Sequence, residues 1–377
     1  MGRTKPPSVV GLAKIVPSRF PPLDTTLVVP STAARRLRDG AAMSLLQPLI
    51  DPHLWKQFMD FPEIEARFQQ VVDEVEKVLV GQSELVEATL IAVLCEGNVL
   101  IEGVPGLGKT LLVNALGRVL KCDFRRIQFT PDLMPSDVTG NSIFNMKDQE
   151  FTFKAGPIFT NLLLADEINR APAKTQSALL EAMQERQVTV DGASYLLDRP
   201  FITIATQNPL EQEGTYPLPE AQLDRFMFKL IVDYPTAPQE CRILTDLAEG
   251  RDNRNLDSCG VLPRLSGEEI MQLQSKITEV IVEPTIIEYI GAIVQKTRNW
   301  HAVEVGASPR ASVNILLASR AMAACKGRDF VVPDDVKELA LWVLRHRLRL
   351  RPEAEIEGVQ TDDVIREILD AVEAPKQ

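Results

Sequence analysis

A short glycine-rich segment between two apolar runs constrains the fold of this chain more than any other feature. It reads Gly103-Val-Pro-Gly-Leu-Gly-Lys-Thr, and it lies between apolar residues 98–101 and 111–120. That order predicts a strand, a tight turn and a helix. Glycines let the backbone close around a bound group without Cβ clashes, and the exposed N–H groups of the turn attract phosphate oxygens. The segment therefore predicts a binding site for a nucleotide polyphosphate.

The side chains of this loop have separate predicted tasks. Lys109 would reach the β- and γ-phosphates, and Thr110 would bind Mg²⁺. A chance match is the alternative, expected on the order of once in a hundred chains, and the flanking strand and helix patterns count against it. The predicted nucleotide-binding residues of the loop are Gly103, Val104, Pro105, Gly106, Leu107, Gly108, Lys109, Thr110 and Leu111.

Charge and residue usage exclude several other classes of protein. The net charge is −11, which argues against a protein whose main task is to grip nucleic acid. The five cysteines include no CxxC pair, and the three histidines are far apart, which disfavours a zinc site and fits a reducing, cytoplasmic setting. No apolar run approaches the roughly 18 residues that a membrane span requires.

Five apolar runs alternate with longer mixed segments, which predicts an α/β fold with a central parallel sheet. The runs cover residues 98–102, 124–130, 162–168, 201–205 and 226–234. Two hairpins are expected to interrupt this order, pairing 141–144 with 151–154 and 188–190 with 194–197 across an Asp-Gly turn.

Three regions are predicted along the chain. Residues 1–42 are rich in Pro, Ser, Thr and Arg and read as a disordered basic tail, with Met43 as a second candidate for the start of translation. Residues 43–238 hold the nucleotide-binding pattern. Strand patterns end there, so residues 239–377 are expected to form a helical lid domain.

Polar residues follow two of the predicted strands. Asp166 could complete the magnesium shell, and Glu167 could polarise an attacking water, because γ-phosphate hydrolysis needs both tasks. A solvated acidic pair is the alternative. Asn208 would face the ligand crevice at the end of its strand and position the water, although Asn208-Pro209 is also a turn signal.

Two arginines are candidates for stabilising transition-state charge. Arg225 precedes the fifth apolar run, and Arg310 follows Ser308-Pro309 at a predicted helix start. Surface ion pairing is the alternative for each. A further basic run, formed by Arg345, Arg347, Arg349 and Arg351, is expected to be a solvated helix end rather than a patch for a subunit or an acidic partner.

From about Leu54 to the end, the chain resembles AAA+ ATPases of the MoxR family. The resemblance rests on three runs: residues 166–190, which begin Asp-Glu-Ile-Asn-Arg-Ala-Pro; residues 205–226, which begin Ala-Thr-Gln-Asn-Pro; and Ser308-Pro-Arg-Ala-Ser. These runs are far more specific than the phosphate loop alone.

The resemblance implies roles for the candidate residues. It makes 103–110 the Walker A loop, with Asp166 and Glu167 the Walker B pair. Asn208 is implied as sensor 1, Arg225 as an arginine finger acting on the neighbouring subunit, and Arg310 as sensor 2 in its own or the neighbouring site. The implied contacts to adenine are Val80, Gly81 and Gln82.

The family also implies a setting: ATP and Mg²⁺ as ligands, a ring of about six subunits, and residues 141–154 and 187–198 as a helix-2 insert and a pre-sensor-1 hairpin. The implied work is chaperone-like maturation, assembly or metal-centre loading of other proteins, with von Willebrand factor A domain proteins as partners. A nucleic-acid remodelling motor and the ATPase subunit of a metal chelatase are the alternatives.

Overall fold

The computed structural model describes residues 60–375, apart from Pro105, Asp148 and residues 210–214. The predictions for the tail at 1–42 and for Pro105 in the phosphate loop therefore lie outside the described residues. None of the described helices is long and apolar enough to cross a membrane.

Strands and helices alternate through the first half of the described chain, as the apolar pattern predicts. The strands are β1 Val99–Glu102, β2 Phe124–Gln128, β3 Gly140–Asn145, β4 Glu150–Ala155, β5 Leu162–Asp166, β6 Gln187–Val190, β7 Ala193–Leu196, β8 Ile202–Gln207, β9 Phe228–Ile231, β10 Val303–Val305 and β11 Arg349–Leu350. The helices are α1 Phe61–Glu76, α2 Ser83–Leu94, α3 Lys109–Val119, α4 Pro135–Thr139, α5 Ala173–Glu185, α6 Glu220–Leu223, α7 Ala237–Ala248, α8 Gly267–Ile277, α9 Pro284–Arg298, α10 Pro309–Cys325, α11 Pro333–Leu344, α12 Pro352–Ile356 and α13 Thr361–Ala371.

Five parallel strands form the central sheet in the order β2-β5-β8-β1-β9, which confirms the predicted parallel α/β sheet. All five residues of β5 are buried, as expected for a strand between two neighbours and under helices on both faces. The register pairs Gln128 with Asp166 and Glu102 with Gln207. Because the strands are parallel, these polar residues meet at one edge, where α/β sheets bind ligands.

Alternate residues of the strands feed two apolar cores, one on each face of the sheet. Leu162 and Leu164 pack in a core with residues of α1, α2, α3 and the C-terminal helices. Leu163 and Ala165 pack in the other core, with residues of α4 and α5. This division follows from the two-residue period of a strand, which turns successive side chains to opposite faces.

Both predicted hairpins are present, and they contact each other. Strands β3 and β4 pair antiparallel from Gly140 with Ala155 to Asn145 with Glu150, and β6 pairs with β7 around the Asp-Gly turn. The rings of Phe153 and Tyr195 stack with their centroids 3.9 Å apart, so the two hairpins share an aromatic contact.

Beyond residue 239 the chain is mainly helical, but the expectation that strands end there is wrong. Strands β10 and β11 form a small antiparallel pair. Val303 of β10 and Leu350 of β11 are both buried, so the pair contributes to the core between α9 and α11. Strands of three and two residues are too short to show a two-residue period, and only tertiary contacts select them.

Candidate active site

The phosphate loop joins β1 to α3, in the predicted arrangement. Gly106 and Gly108 have φ values of 87° and 78°, a region that glycine enters without strain. A Cβ on Gly108 would lie 2.9 Å from Cδ1 of Leu79, so a larger residue would also displace that side chain. The turn leaves the first N–H groups of α3 without helical partners, which creates a place for an anion.

Lys109, the first residue of α3, is half-buried beside acidic groups. Its Nζ donates a hydrogen bond to the carbonyl oxygen of Gly103 at 2.5 Å, across the base of the loop. Burial lowers the pKa of Lys109, whereas the charges of Asp166, Glu167 and Glu102 oppose that shift. The ammonium group is therefore fixed within the loop and close to the end of β5.

Asp166 is fixed by contacts from both neighbouring strands. The Thr206 hydroxyl of β8 donates a hydrogen bond to Oδ1 of Asp166 at 2.5 Å, and Nη2 of Arg126 on β2 donates to Oδ2 at 2.6 Å. Asp166 is 9% exposed, so these bonds offset the cost of burying its charge. The carboxylate is thereby held at the sheet edge in one orientation.

Glu167 turns away from the strand with a φ of 55°, an uncommon value for a residue other than glycine. Its N–H donates to the Thr206 hydroxyl at 2.9 Å, and its Oε2 accepts bonds from Nε2 of Gln128 at 2.7 Å and from Nη1 of Arg170 at 2.9 Å. Strained backbone held by such contacts is typical of active sites. Asp166 and Glu167 thus point in separate, fixed directions.

A cavity of about 740 Å³ collects most of the predicted site residues. This volume lies within the range of small-molecule sites. Asn208 is buried in its wall. The predicted residues that line it are Val80, Gln82, Gly106, Leu107, Gly108, Lys109, Thr110, Leu111, Asp166, Glu167 and Asn208. Gly81, Gly103 and Val104 are not among its lining residues, although Gly103 carries the bond to Lys109.

One group of residues in the wall of this cavity suits a nucleotide base. Nε2 of Gln82 donates to the carbonyl oxygen of Leu107 at 3.2 Å, while Oε1 of Gln82 is buried with no partner among the described residues. Val80, Ile243 and Leu247 provide apolar walls. An unpaired buried oxygen favours a ligand with an N–H group, such as the adenine amino group.

The two candidate arginines lie outside this cavity, and they lie near each other. Nη1 of Arg225 donates to the carbonyl oxygen of Leu180 at 3.1 Å. Nη1 of Arg310 donates to the carbonyl oxygen of Asp224 at 3.4 Å and is 3.9 Å from its carboxylate. Neither arginine lines the cavity that contains Lys109. The structure therefore separates this pair from the chain's own phosphate loop.

Arg347 fixes the backbone on both sides of Arg225. Its Nη2 donates to the carbonyl oxygens of Asp224 at 3.1 Å and of Phe226 at 2.6 Å, and its Nε donates to Oδ1 of Asp224 at 2.7 Å. Burial lowers the pKa of the Arg347 guanidinium to about 10, and its hydrogen bond to Asp224 opposes this shift. At neutral pH the group is a buried cation paired with Asp224, and it ties the end of α11 to the segment before β9.

The expectation of a solvated basic run is therefore wrong for two of its four residues. The side chain of Arg347 is 1% exposed, and that of Arg345 is 11% exposed and paired with Asp362 at 2.8 Å. Arg349 is half-exposed and bonds Glu220 and Glu304. The run connects elements within the chain, because its acidic partners are distant in sequence.

Four residues of this region carry no sequence signal that would identify them: Arg126, Gln128, Thr206 and Arg347. Arg126 and Gln128 act on Asp166 and Glu167 only because β2 lies beside β5. Thr206 reaches both because β8 lies on the other side of β5. A known strand order would have identified Gln128 and Thr206, since they are polar residues at the carboxyl ends of the strands beside β5, and it would have brought Arg126 of β2 under consideration.

Comparison with known families agrees with this geometry. Residues 98–228 match the family described as "ATPase family associated with various cellular activities (AAA)", and residues 295–368 match the AAA lid domain. The first match contains the phosphate loop, the Asp166-Glu167 pair and Asn208, and the second contains Arg310 and Arg347.

Several known proteins are similar over most of the chain. The uncharacterized protein YeaC of Bacillus subtilis is 48% identical over 308 residues, 82% of this chain and 95% of that protein. Chaperone MoxR1 of Mycobacterium tuberculosis is 43% identical over 324 residues, 82% of each chain. The crystal structure of a candidate ATPase from Cytophaga hutchinsonii superposes with a TM-score of 0.77 at 43% identity, over 84% of this chain and 97% of that one. The chain belongs to the MoxR family of AAA+ ATPases.

Proposed function

We propose that this protein hydrolyses ATP in an oligomeric ring and uses the cycle for chaperone-like work on client proteins. The observation that carries the proposal is one cavity that joins Lys109, Asp166, Glu167 and Asn208, while Arg225 lies outside it. Its walls include residues on both sides of the proposed boundary between a core at 43–238 and a lid at 239–377. We therefore propose that ATP is bound and hydrolysed in this cavity, and that contacts between neighbouring subunits complete the catalytic site.

The cavity fits ATP and Mg²⁺. The loop N–H groups and Lys109 would hold the phosphates, Gln82 would accept a bond from adenine, and Thr110 and Asp166 would hold Mg²⁺. When bound, Mg²⁺ neutralises charge on the phosphates. Thr206 and Arg126 orient Asp166 for that task through the contacts described above.

Glu167 is proposed to polarise the attacking water. Its Oε2 accepts hydrogen bonds from Gln128 at 2.7 Å and from Arg170 at 2.9 Å, and these two bonds fix the orientation of the carboxylate. A fixed carboxylate can accept a hydrogen bond from water and so activate it as a nucleophile. Asn208, buried in the wall after β8, would orient the same water. Adjacent carboxylates thus divide the tasks of holding the metal and activating the nucleophile.

Arg225 and Arg310 are proposed to act on the nucleotide of the neighbouring subunit. Arg225 follows Asp224 in the chain and Arg310 bonds the carbonyl oxygen of Asp224, and neither lines the chain's own cavity. Arg347 fixes Asp224 through the bond described above. A second copy that brings its phosphate loop to this surface would place two guanidinium groups at the γ-phosphate. This placement favours a role in trans for Arg310, as well as for Arg225, in a closed ring.

The two hairpins are the proposed contact with client proteins. They carry large apolar side chains that are highly exposed, with Met146 at 86% and Phe151 at 73% near the tip of the first hairpin and Leu196 at 77% at the end of the second. Such a patch marks an interaction surface. Because Phe153 stacks on Tyr195, the hairpins would move together when the nucleotide site changes state.

Replacing Lys109 with alanine is expected to abolish ATP binding. The substitution removes the only side-chain ammonium among the residues that line the cavity. Equilibrium titration with a fluorescent ATP analogue measures the effect. Lys276→Ala is the matched control, since Lys276 pairs with Glu279 on α8, away from the cavity. Unchanged ATP affinity in Lys109→Ala would contradict the assignment of the loop.

Replacing Met146 and Phe151 together with serine is expected to reduce client capture about tenfold or more, because few apolar side chains dominate most protein contacts. The double change is made in a ring that holds ATP through Glu167→Gln, and captured proteins are quantified by mass spectrometry. Ile356→Ser, which changes an equally exposed apolar residue on α12, serves as control. Equal capture by both variants would contradict the hairpin proposal.

The partner class that the family implies is a von Willebrand factor A domain protein.

A further inference from the structure

A second cavity, of about 360 Å³, lies between the C-terminal end of α2, helix α8 and helix α10. Its volume is within the range of small-ligand sites. Leu94, Met271, Ile277 and Leu317 give it apolar walls. It shares no lining residue with the cavity that contains Lys109, so it is a separate site from the candidate nucleotide site.

Arg320 gives this cavity an uncompensated positive charge. It lines the cavity from α10, and its Nε is buried with no hydrogen-bond partner. No ion pair joins Arg320 to another described residue, whereas most arginines of the described chain are paired. A partly buried guanidinium without an anion loses hydration and gains nothing in return. An anionic ligand would supply the missing partner.

The other charges around the cavity do not neutralise Arg320. Glu96 is the one acidic residue among the lining residues, and its carboxylate already pairs with both Arg186 and Arg199, the latter at 3.1 Å. No ion pair joins Glu96 to Arg320. The lining therefore combines apolar walls with two arginines, Arg199 and Arg320, and one carboxylate that is already paired.

We propose that this cavity binds a small organic anion, namely an apolar body that carries one carboxylate or phosphate. Guanidinium groups bind both head groups with paired hydrogen bonds. The apolar walls would take the rest of the ligand out of water. Ser275 also lines the cavity, and its hydroxyl group is an additional donor for the anion, whereas the Thr278 hydroxyl already donates to the carbonyl oxygen of Ser275 at 2.7 Å. Arg320 is the residue on which recognition of the charge depends.

Calorimetric titration of the full-length protein with hexanoate and with hexyl phosphate tests the proposal, and the comparison of the two identifies the head group. At least one is expected to bind saturably with a Kd on the order of 1 mM or lower. Hexanol, which lacks the charge, should bind at least about tenfold more weakly. Arg320→Met should weaken binding of the anion by a similar factor, whereas Arg366→Met, at an exposed ion pair on α13, should not.

Leu317→Trp provides a second variant, since Leu317 is 40% exposed and a larger ring at this position would fill the cavity without changing any charge. It should also weaken binding. Lys109→Ala should bind the anion normally, which separates this site from the nucleotide site. Three results would each overturn the proposal: no saturable binding of either anion, equal binding of hexanol, or full affinity in both Arg320→Met and Leu317→Trp.

Discussion

Replacing Glu167 with glutamine is expected to lower the turnover number for ATP at least about a hundredfold, while ATP affinity stays within about twofold of the original protein. Glutamine has nearly the same shape, and its side-chain oxygen can still accept a bond from Gln128 or Arg170. It lacks the negative charge that draws a proton from water. The loss should therefore fall on the chemical step and spare binding.

Steady-state phosphate release, compared with an equilibrium titration of ATP, separates these two effects. Glu185→Gln is a suitable control because Glu185 is exposed at the end of α5 and does not line the cavity. Near-normal turnover in Glu167→Gln would show that another group activates the water. A parallel loss of ATP affinity would show instead that Glu167 holds the nucleotide or its metal.

Replacing Arg225 with alanine is expected to lower turnover by about a thousandfold or more, the effect known for an arginine that stabilises a γ-phosphate in the transition state. Binding of ATP should be nearly unchanged, because the arginine is expected to stabilise charge that develops only in the transition state. The change removes one hydrogen bond, to the carbonyl oxygen of Leu180, which costs about 1 kcal/mol of folding free energy. A modest loss of thermal stability is thus compatible with the proposal.

Turnover, ATP affinity and melting temperature measured on the same preparations distinguish catalysis from folding. Arg366→Ala removes an exposed arginine from an ion pair with Asp363 and is the matched control. If Arg225→Ala keeps most of its turnover, the arginine finger assignment fails. If it loses ATP affinity in proportion to turnover, the residue holds the bound nucleotide and does not act specifically on the transition state.

Sequence patterns predicted those parts of the site that are contiguous in the chain. Two features are of this kind: the loop from Gly103 to Thr110 and the pair Asp166-Glu167. In each, the residues that the chemistry needs are neighbours in the sequence, so a short sequence motif identifies them. The five strands and both hairpins follow from the apolar period and from the Asp-Gly turn for the same reason.

Contacts that depend on tertiary neighbours were not predictable in this way. Arg126 looks like a surface arginine beside Arg125 in β2, and only the pairing of β2 with β5 brings it to Asp166. Arg347 looks like part of a solvated basic run, but Asp224, its partner, is 123 residues away in sequence. A charge pattern along one segment cannot reveal such a partner, and burial of Arg347 depends on it.

The role of Arg225 as an arginine finger was predicted from the family resemblance. Only the structure shows that Arg225 lies outside the cavity that contains Lys109. That separation is the basis of the central claim, in which neighbouring subunits complete one ATP site. A subunit with Lys109→Ala lacks nucleotide binding but retains Arg225, and a subunit with Arg225→Ala has the opposite defect.

Mixing these two inactive variants tests the claim most directly. In rings assembled at random from equal amounts, about one interface in four would combine an intact phosphate loop with an intact Arg225. Co-assembly is verified by pulling down one variant through an affinity tag. We predict that the mixture regains measurable ATP turnover, up to about a quarter of the original rate. Verified mixed rings that remain as inactive as either variant alone would contradict the shared site.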